Sequence, residues 1–97
     1  MNIESCIFCK IVKKEIPASI IFEDEELIAF KDINPIDKVH LLIIPKDHIE
    51  SLFTCEAKHK ELLSKMLLLA PKLAKENGLE GFRVMINSGE KGGQEVF

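Results

Sequence analysis

SIIFEDEELIAFKDINPIDKVHLLIIPKDH, residues 19–48, decides how this chain folds. Two apolar runs flank the acidic EDEE, a pattern that predicts a hairpin with strands near 19–23 and 26–31. NPIDKV is a loop, because Asn-Pro favours a turn. HLLIIPK then reads as a continuous apolar strand of the buried type, stopped by Pro45.

On the N-terminal side lies CIFCKIVKKEIPAS. Ile7, Phe8 and Ile11 fall at helical spacing, which predicts a short helix at about 7–13 in a segment closed by Pro17. On the C-terminal side, TCEAKHKELLSKMLLLAPKLAKENG is the clearest helix. Thr54 can cap its start, with Glu56 in the first turn. Leu62, Leu63, Met66, Ala70, Leu73 and Ala74 form its apolar stripe, and Gly78 stands where a terminating glycine belongs. Pro71 removes one backbone donor, so a kink is expected near residue 67. FRVMIN alternates as a strand at 82–87, and QEVF reads as the start of another. Strands run together before the long helix without βαβ alternation, which favours an α+β fold with an antiparallel sheet.

With 97 residues there is room for one domain. The chain is 46% hydrophobic and 30% charged, as globular proteins are, and its net charge is −3. No basic patch with interleaved aromatics marks a nucleic-acid groove; KIVKK is short and reads as a solvated helix face. No apolar run approaches the roughly 20 residues of a membrane span, and no secretory signal is present. Three cysteines, an odd number, argue against a disulfide framework and for a reducing cytoplasm.

Several residues carry candidate chemistry. Cys6 and Cys9 form a C-x-x-C. It can be a redox pair, although βαβ surroundings are absent; it can be two buried apolar thiols; or it can be part of a zinc site, which needs two further ligands from among His40, His48 and His59. Cys55 reads as a half-buried thiol and His59 as a solvated helix residue. Asp32, at the end of the second strand, can cap a turn or accept sugar hydroxyls. In NSGEKGGQEV the glycines let backbone N–H groups approach an anion, and Asn87 and Gln94 can donate to phosphate oxygens. Tight glycine connections without any ligand look the same.

Taken together, CIFCKIVKKEIPASIIFEDEELIAFKDINP, VHLLIIPKDHIE and GFRVMINSGEKGGQEVF resemble the histidine triad (HIT) family, in its Hint-like, bacterial-type branch. The resemblance covers nearly all 97 residues. It implies a HIT-like α+β fold and a homodimer joined across the long helix and the strand at 82–87. It also implies hydrolysis of nucleoside phosphoramidates or other nucleotidyl conjugates through a nucleotidyl-histidine intermediate. By resemblance, Phe8, Ile11, Phe30 and Ile33 form an apolar slot for a purine and Asp32 accepts the ribose hydroxyls. Asn87, Gly93, Gln94, Glu95 and Val96 surround the phosphate. Many relatives carry serine at the Glu95 position, and a carboxylate beside a phosphate repels it unless protonated or turned away. His40 matches a histidine that supports the active-site histidines by hydrogen bonding. Cys6, Cys9 and His48 match three of four structural zinc ligands; no organic cofactor is implied.

In the family the phosphate loop leads into a His-x-His-x-His strand, and Phe97 stands just before that signature. The resemblance therefore implies that residues 1–97 are a single HIT domain, C-terminally incomplete. The nucleophile and the fourth zinc ligand would be absent, leaving His40 and Asn87 as supporting residues. Val84 and Ile86 would lie on an open sheet edge, hydrolysis would be negligible, and stability would be low or rescued by association.

Overall fold

Asp24 turns the chain between the first two strands. Its Oδ1 accepts the backbone N–H groups of Glu26 and Leu27 at 2.8 and 2.7 Å, closing a tight turn with one side chain. The computed structural model, which describes residues 6–96, places strands β1 (Ile20–Glu23) and β2 (Leu27–Lys31) on either side of this turn and β3 (Leu41–Pro45) beyond the next loop. Before them lies helix α1 (Ile7–Val12), and after them helix α2 (Lys60–Glu76).

The sheet is an antiparallel meander in the order β1-β2-β3. β2 pairs with β3 in unbroken register from Leu27 opposite Pro45 to Lys31 opposite Leu41. β1 pairs with β2 but its register steps by one between Ile20 and Phe22, as in a β-bulge. The hairpin read from the acidic turn is therefore the observed one. The buried strand, however, is β2 rather than β3: Leu27 to Phe30 are buried in succession, whereas β3 buries only Ile44. The central strand has a hydrogen-bonded neighbour on each side, so neither of its backbone edges faces water.

The chain divides into two compact units, one reaching to His48 and including Val96, the other spanning Ile49–Glu95. In the first, Ile11, Ile28, Phe30 and Ile44 make one buried cluster, with Phe8, Val12, Ile16, Ala18 and Leu42 packed around it. Helix α1 thus seats its apolar face on the sheet. Cys6 caps it, its Sγ accepting the N–H of Cys9 at 3.4 Å. The helix ends before Pro17: Lys14 adopts a left-handed φ of 65°, and Glu15 N–H closes back on Lys10 O at 2.9 Å. Lys14 and Lys46 both reach Glu23, at 2.6 and 2.8 Å. Their ammonium groups, Lys14 foremost, hold that carboxyl below its ordinary range.

In the second unit, α2 begins later than Thr54. Ser51 caps a 3₁₀ turn at Leu52–Thr54, and Thr54 Oγ1 donates back to Ser51 O at 2.9 Å. A second 3₁₀ turn, Ala57–His59, precedes the helix and is tied by Glu56 N–H donating to His59 Nδ1 at 2.9 Å. The helix runs continuously through Pro71. Leu69, Leu73 and Ala74 are its buried residues; Leu69 is an addition to the expected stripe. Gly78, at φ 69°, ends it as expected: its N–H donates to Lys75 O and that of Leu79 to Ala74 O, the two bonds of a Schellman cap.

The expected strand at 82–87 is not formed. These residues belong to no ladder among the described residues, and Phe82, Val84, Met85 and Ile86 are all exposed. Alternation encodes which face a strand would present, but a strand also needs a hydrogen-bonded neighbour. The start of another strand in QEVF is absent over residues 94–96 too, and Phe97 lies outside the described residues. No helix among the described residues is long and apolar enough to cross a membrane.

Candidate functional site

Helix α1 and the end of β3 place three soft donors together. The Sγ atoms of Cys6 and Cys9 and a ring nitrogen of His48 all lie within 4.8 Å of one another. Cys9 Sγ is 3.0 Å from His48 Nδ1. Both cysteines are buried, at 3% and 8% exposure, and both are free thiols. The C-x-x-C spacing puts Cys6 at the cap and Cys9 one turn on, so both sulfurs face the same side. Pro45 ends the strand three residues before His48, which turns back toward them. Burial foremost, and then Cys6 as hydrogen-bond neighbour, push the Cys9 thiol up to about 11.

This donor set fits a metal. Donors of one tetrahedral zinc shell, with Zn–S near 2.3 Å, sit roughly 3.5–4 Å apart, and the observed spread allows that. Two sulfurs and one imidazole are the chemistry zinc selects. Cys6, Cys9 and His48 could therefore hold a metal ion. His40, His59 and Cys55 do not belong to this cluster.

A second arrangement joins the facing ends of β2 and β3. The register that sets Lys31 opposite Leu41 continues one step, and Asp32 N–H donates to His40 O at 3.0 Å. Their side chains meet as well: His40 Nε2 is 3.4 Å from Asp32 Oδ2. The other carboxylate oxygen accepts Asn34 N–H at 2.8 Å, so Asp32 does cap a turn. Ile36 N–H donates to His40 Nδ1 at 3.2 Å. The sequence singles out Asp32 and His40 separately; their pairing follows from the β2–β3 register.

Among the other slot residues, Phe8 and Phe30 meet edge to face, ring centres 6.1 Å apart. Phe30 and Ile11 are nearly all core, at 4% and 7% exposure. Only Phe8, half-buried, and Ile33, exposed, have substantial surface to offer a base.

The residues expected at the phosphate lie in the loop 87–96. Its glycine N–H groups are not turned outward as an open nest. Gly92 N–H donates to Gly89 O and Gly93 N–H to Glu90 O, around a 3₁₀ turn at Glu90–Gly92. Gln94 N–H donates to Gly89 O at 3.1 Å. The Gln94 side chain is the loop's pin: Oε1 accepts Gly89 N–H and Nε2 donates to Glu50 O, both at 2.6 Å. At least one of its amide hydrogens is thus spent on the backbone. The Asn87 side chain lies against Gly93, which is left-handed at φ 87°. Glu95 is exposed and Val96 half-buried.

Gly89 has φ 78° and ψ 159°, a region open essentially to glycine alone. A Cβ there would also lie 3.2 Å from Phe53 Cε2. Gly89→Ala is expected to lower stability by roughly 1–3 kcal/mol, read as a lower urea midpoint. An unchanged midpoint would show that the loop relaxes without cost.

The profile of the family described as "Scavenger mRNA decapping enzyme C-term binding" matches residues 5–97. The chain is 49% identical over 94 residues to the 14 kDa zinc-binding protein of Zea mays, covering 94% of this chain and 73% of that one. It is 46% identical over 94 residues to adenylylsulfatase HINT1 of Arabidopsis thaliana, covering 94% and 64%. Among solved structures, a HIT family hydrolase from Legionella pneumophila Philadelphia 1 superposes with a TM-score of 0.92 at 47% identity, covering 95% of this chain and 84% of that one.

Proposed function

The chain belongs to the histidine triad family, and on that premise we propose that it binds a purine nucleoside monophosphate, or a conjugate of one, at the position where the family's hydrolases act. The observation that carries this reading is the Asp32 carboxylate. Each oxygen already has one polar neighbour: Oδ1 accepts Asn34 N–H, and His40 Nε2 lies 3.4 Å from Oδ2. A carboxylate oxygen has a second lone pair, so one acceptor position remains on each. Two adjacent acceptors in a fixed plane suit a vicinal diol, which a ribose carries. Phe8 and Ile33 offer the base an apolar surface beside it. The relatives named as an adenylylsulfatase and a HIT family hydrolase support the same class of substrate.

The nucleophile is not one of this chain's three histidines. His48 faces Cys9, His40 faces Asp32, and His59 closes the turn before α2. The 97-residue polypeptide is therefore expected to bind adenosine monophosphate with a Kd below ~1 mM and to turn over no adenosine 5′-phosphoramidate. Calorimetry and a chromatographic assay measure the two. Absence of binding would remove the nucleotide reading; turnover that disappears in His40→Ala would place a nucleophile where we place none.

The buried Cys6, Cys9 and His48 cluster is proposed to hold zinc in a structural role, as the name of the Zea mays relative suggests. When bound, the ion would tie the start of α1 to the end of β3. The exposed apolar side chains of Phe82, Val84, Met85 and Ile86 support the further proposal of a homodimer. A cytoplasmic location remains part of the same reading.

A further inference from the structure

We propose that His40 is a positioning residue for Asp32: it fixes the carboxylate's rotation, and so sets the preference for a ligand bearing a ribose diol. The inference rests on the reading of Asp32 as the ribose acceptor.

The argument runs through the imidazole's proton. Ile36 N–H donates to His40 Nδ1 at 3.2 Å, so Nδ1 must offer a lone pair. In the neutral ring the proton then sits on Nε2. Nε2 is the atom that faces Asp32 Oδ2, at 3.4 Å. One backbone N–H thereby selects the tautomer that presents a donor to the carboxylate. Reversed, the ring would set a lone pair against an anion.

The carboxylate needs such a partner. Asp32 sits at the last rung of the β2–β3 ladder, fixed by its own N–H to His40 O at 3.0 Å. Its χ2 torsion is a broad, soft one. Asn34 N–H holds Oδ1 and leaves rotation about that contact free. His40 Nε2, 3.4 Å from Oδ2, restrains this remaining freedom by electrostatic attraction. Both side chains are about three-quarters shielded, with exposures of 26% and 21%, so water competes for the contact only in part. A diol then meets two acceptors already set in one plane, without the ordering cost of choosing it on binding.

Two substitutions separate the halves of the device. Asn at position 40 can keep an acceptor for Ile36 N–H but is too short to reach Oδ2. Gln can place an amide donor near the Nε2 position while giving up the acceptor. The experiment compares affinities for adenosine monophosphate and its 2′,3′-dideoxy analogue by calorimetry, in the native chain, Asp32→Ala, His40→Asn and His40→Gln. The native chain is expected to prefer the diol by about tenfold or more, the scale of hydrogen bonds to a charged group. Asp32→Ala should erase the preference. His40→Asn should cut it severalfold while leaving the dideoxy affinity unchanged, and His40→Gln should restore most of it.

A full preference in His40→Asn would overturn the positioning role and leave the ribose reading standing. A full preference in Asp32→Ala would overturn the ribose reading, and the inference with it. Nitrogen chemical shifts of the His40 ring in the native chain supply a test that needs no variant. A protonated Nε2 with a bare Nδ1 is expected; a protonated Nδ1 in the neutral ring would overturn the proposal.

Discussion

Cys9→Ser is expected to remove most of the stabilisation that zinc gives the chain. Cys9 is the central donor of the three, buried at 8% exposure and 3.0 Å from His48 Nδ1. Serine keeps the size but offers a hard hydroxyl that does not ionise near neutral pH, where zinc selects thiolate. Outer-shell changes alone cost 10–100-fold in metal affinity, so loss of a ligand should exceed about 100-fold. At free zinc a hundred times the native Kd, linkage gives about 2.7 kcal/mol of stabilisation. For a domain of this size that is a rise in melting temperature of roughly 10–20 °C; in Cys9→Ser it should shrink to a few degrees. Calorimetric melts with and without zinc, on both proteins, decide the matter. An equal rise in both would show that zinc binds elsewhere. The sign of the pH effect follows from the raised thiol. Held up to about 11, Cys9 carries its proton at pH 7 and must release it to the metal, so zinc affinity should climb as pH rises. The metal-free fold behaves oppositely: above the ordinary value of 9.0 the unfolded thiol loses its proton first, and stability falls as pH rises from there toward 11.

What the sequence made legible was local. The hairpin could be read because Asp24 is both the turn signal and the group that bonds the turn. The end of α2 could be read because Gly78 supplies the left-handed residue a Schellman cap needs. The start of α2 could not, since Ser51, Thr54 and Glu56 are all plausible caps. The chain spends Ser51 and Thr54 on one short turn and Glu56 on the next. At 82–87 the alternation was real, but pairing depends on a neighbour that local sequence does not specify. The metal cluster was legible only in part: C-x-x-C left redox, buried-thiol and metal readings open, and the family resemblance, not spacing, singled out His48. The Asp32–His40 pair was within reach: β2–β3 register places the two opposite each other, and only the register was lacking. The role of Gln94 was not, because its acceptor is the main-chain carbonyl of Glu50. Any residue carries such a carbonyl, so it leaves no mark in a sequence. The same limit hid how far Phe30 and Ile11 are absorbed into the core. Apolar side chains that line a slot and those that fill a core are the same residues.

Ile28→Ala should be the most damaging single change in the first unit. Ile28 is fully buried, at 0% exposure, on the central strand, opposite Ile44 on one side and Glu23 on the other. It belongs to the cluster with Ile11, Phe30 and Ile44. Truncation removes buried methyl and methylene groups and leaves a cavity that flanking strands cannot both close on, at a cost of about 2–5 kcal/mol. Domains have about 5–15 kcal/mol in total, so the loss is a large share of what holds the fold. The urea midpoint should fall sharply at constant slope, as it does when stability changes without a change in the surface exposed. Ile43→Ala provides the comparison. Ile43 is only half-buried on β3, and its truncation should cost well under half as much. Equal losses at both positions would mean that burial on β2 is not what distinguishes them. The functional consequence follows from connectivity. Ile11, two residues beyond Cys9 on α1, rests on the same cluster, and Asp32 directly follows the last residue of β2. A loosened Ile28 site should therefore weaken zinc binding and diol preference together, although Ile28 belongs to neither site. A variant that loses stability yet keeps both at full strength would show that α1 and the end of β2 hold their positions without this core.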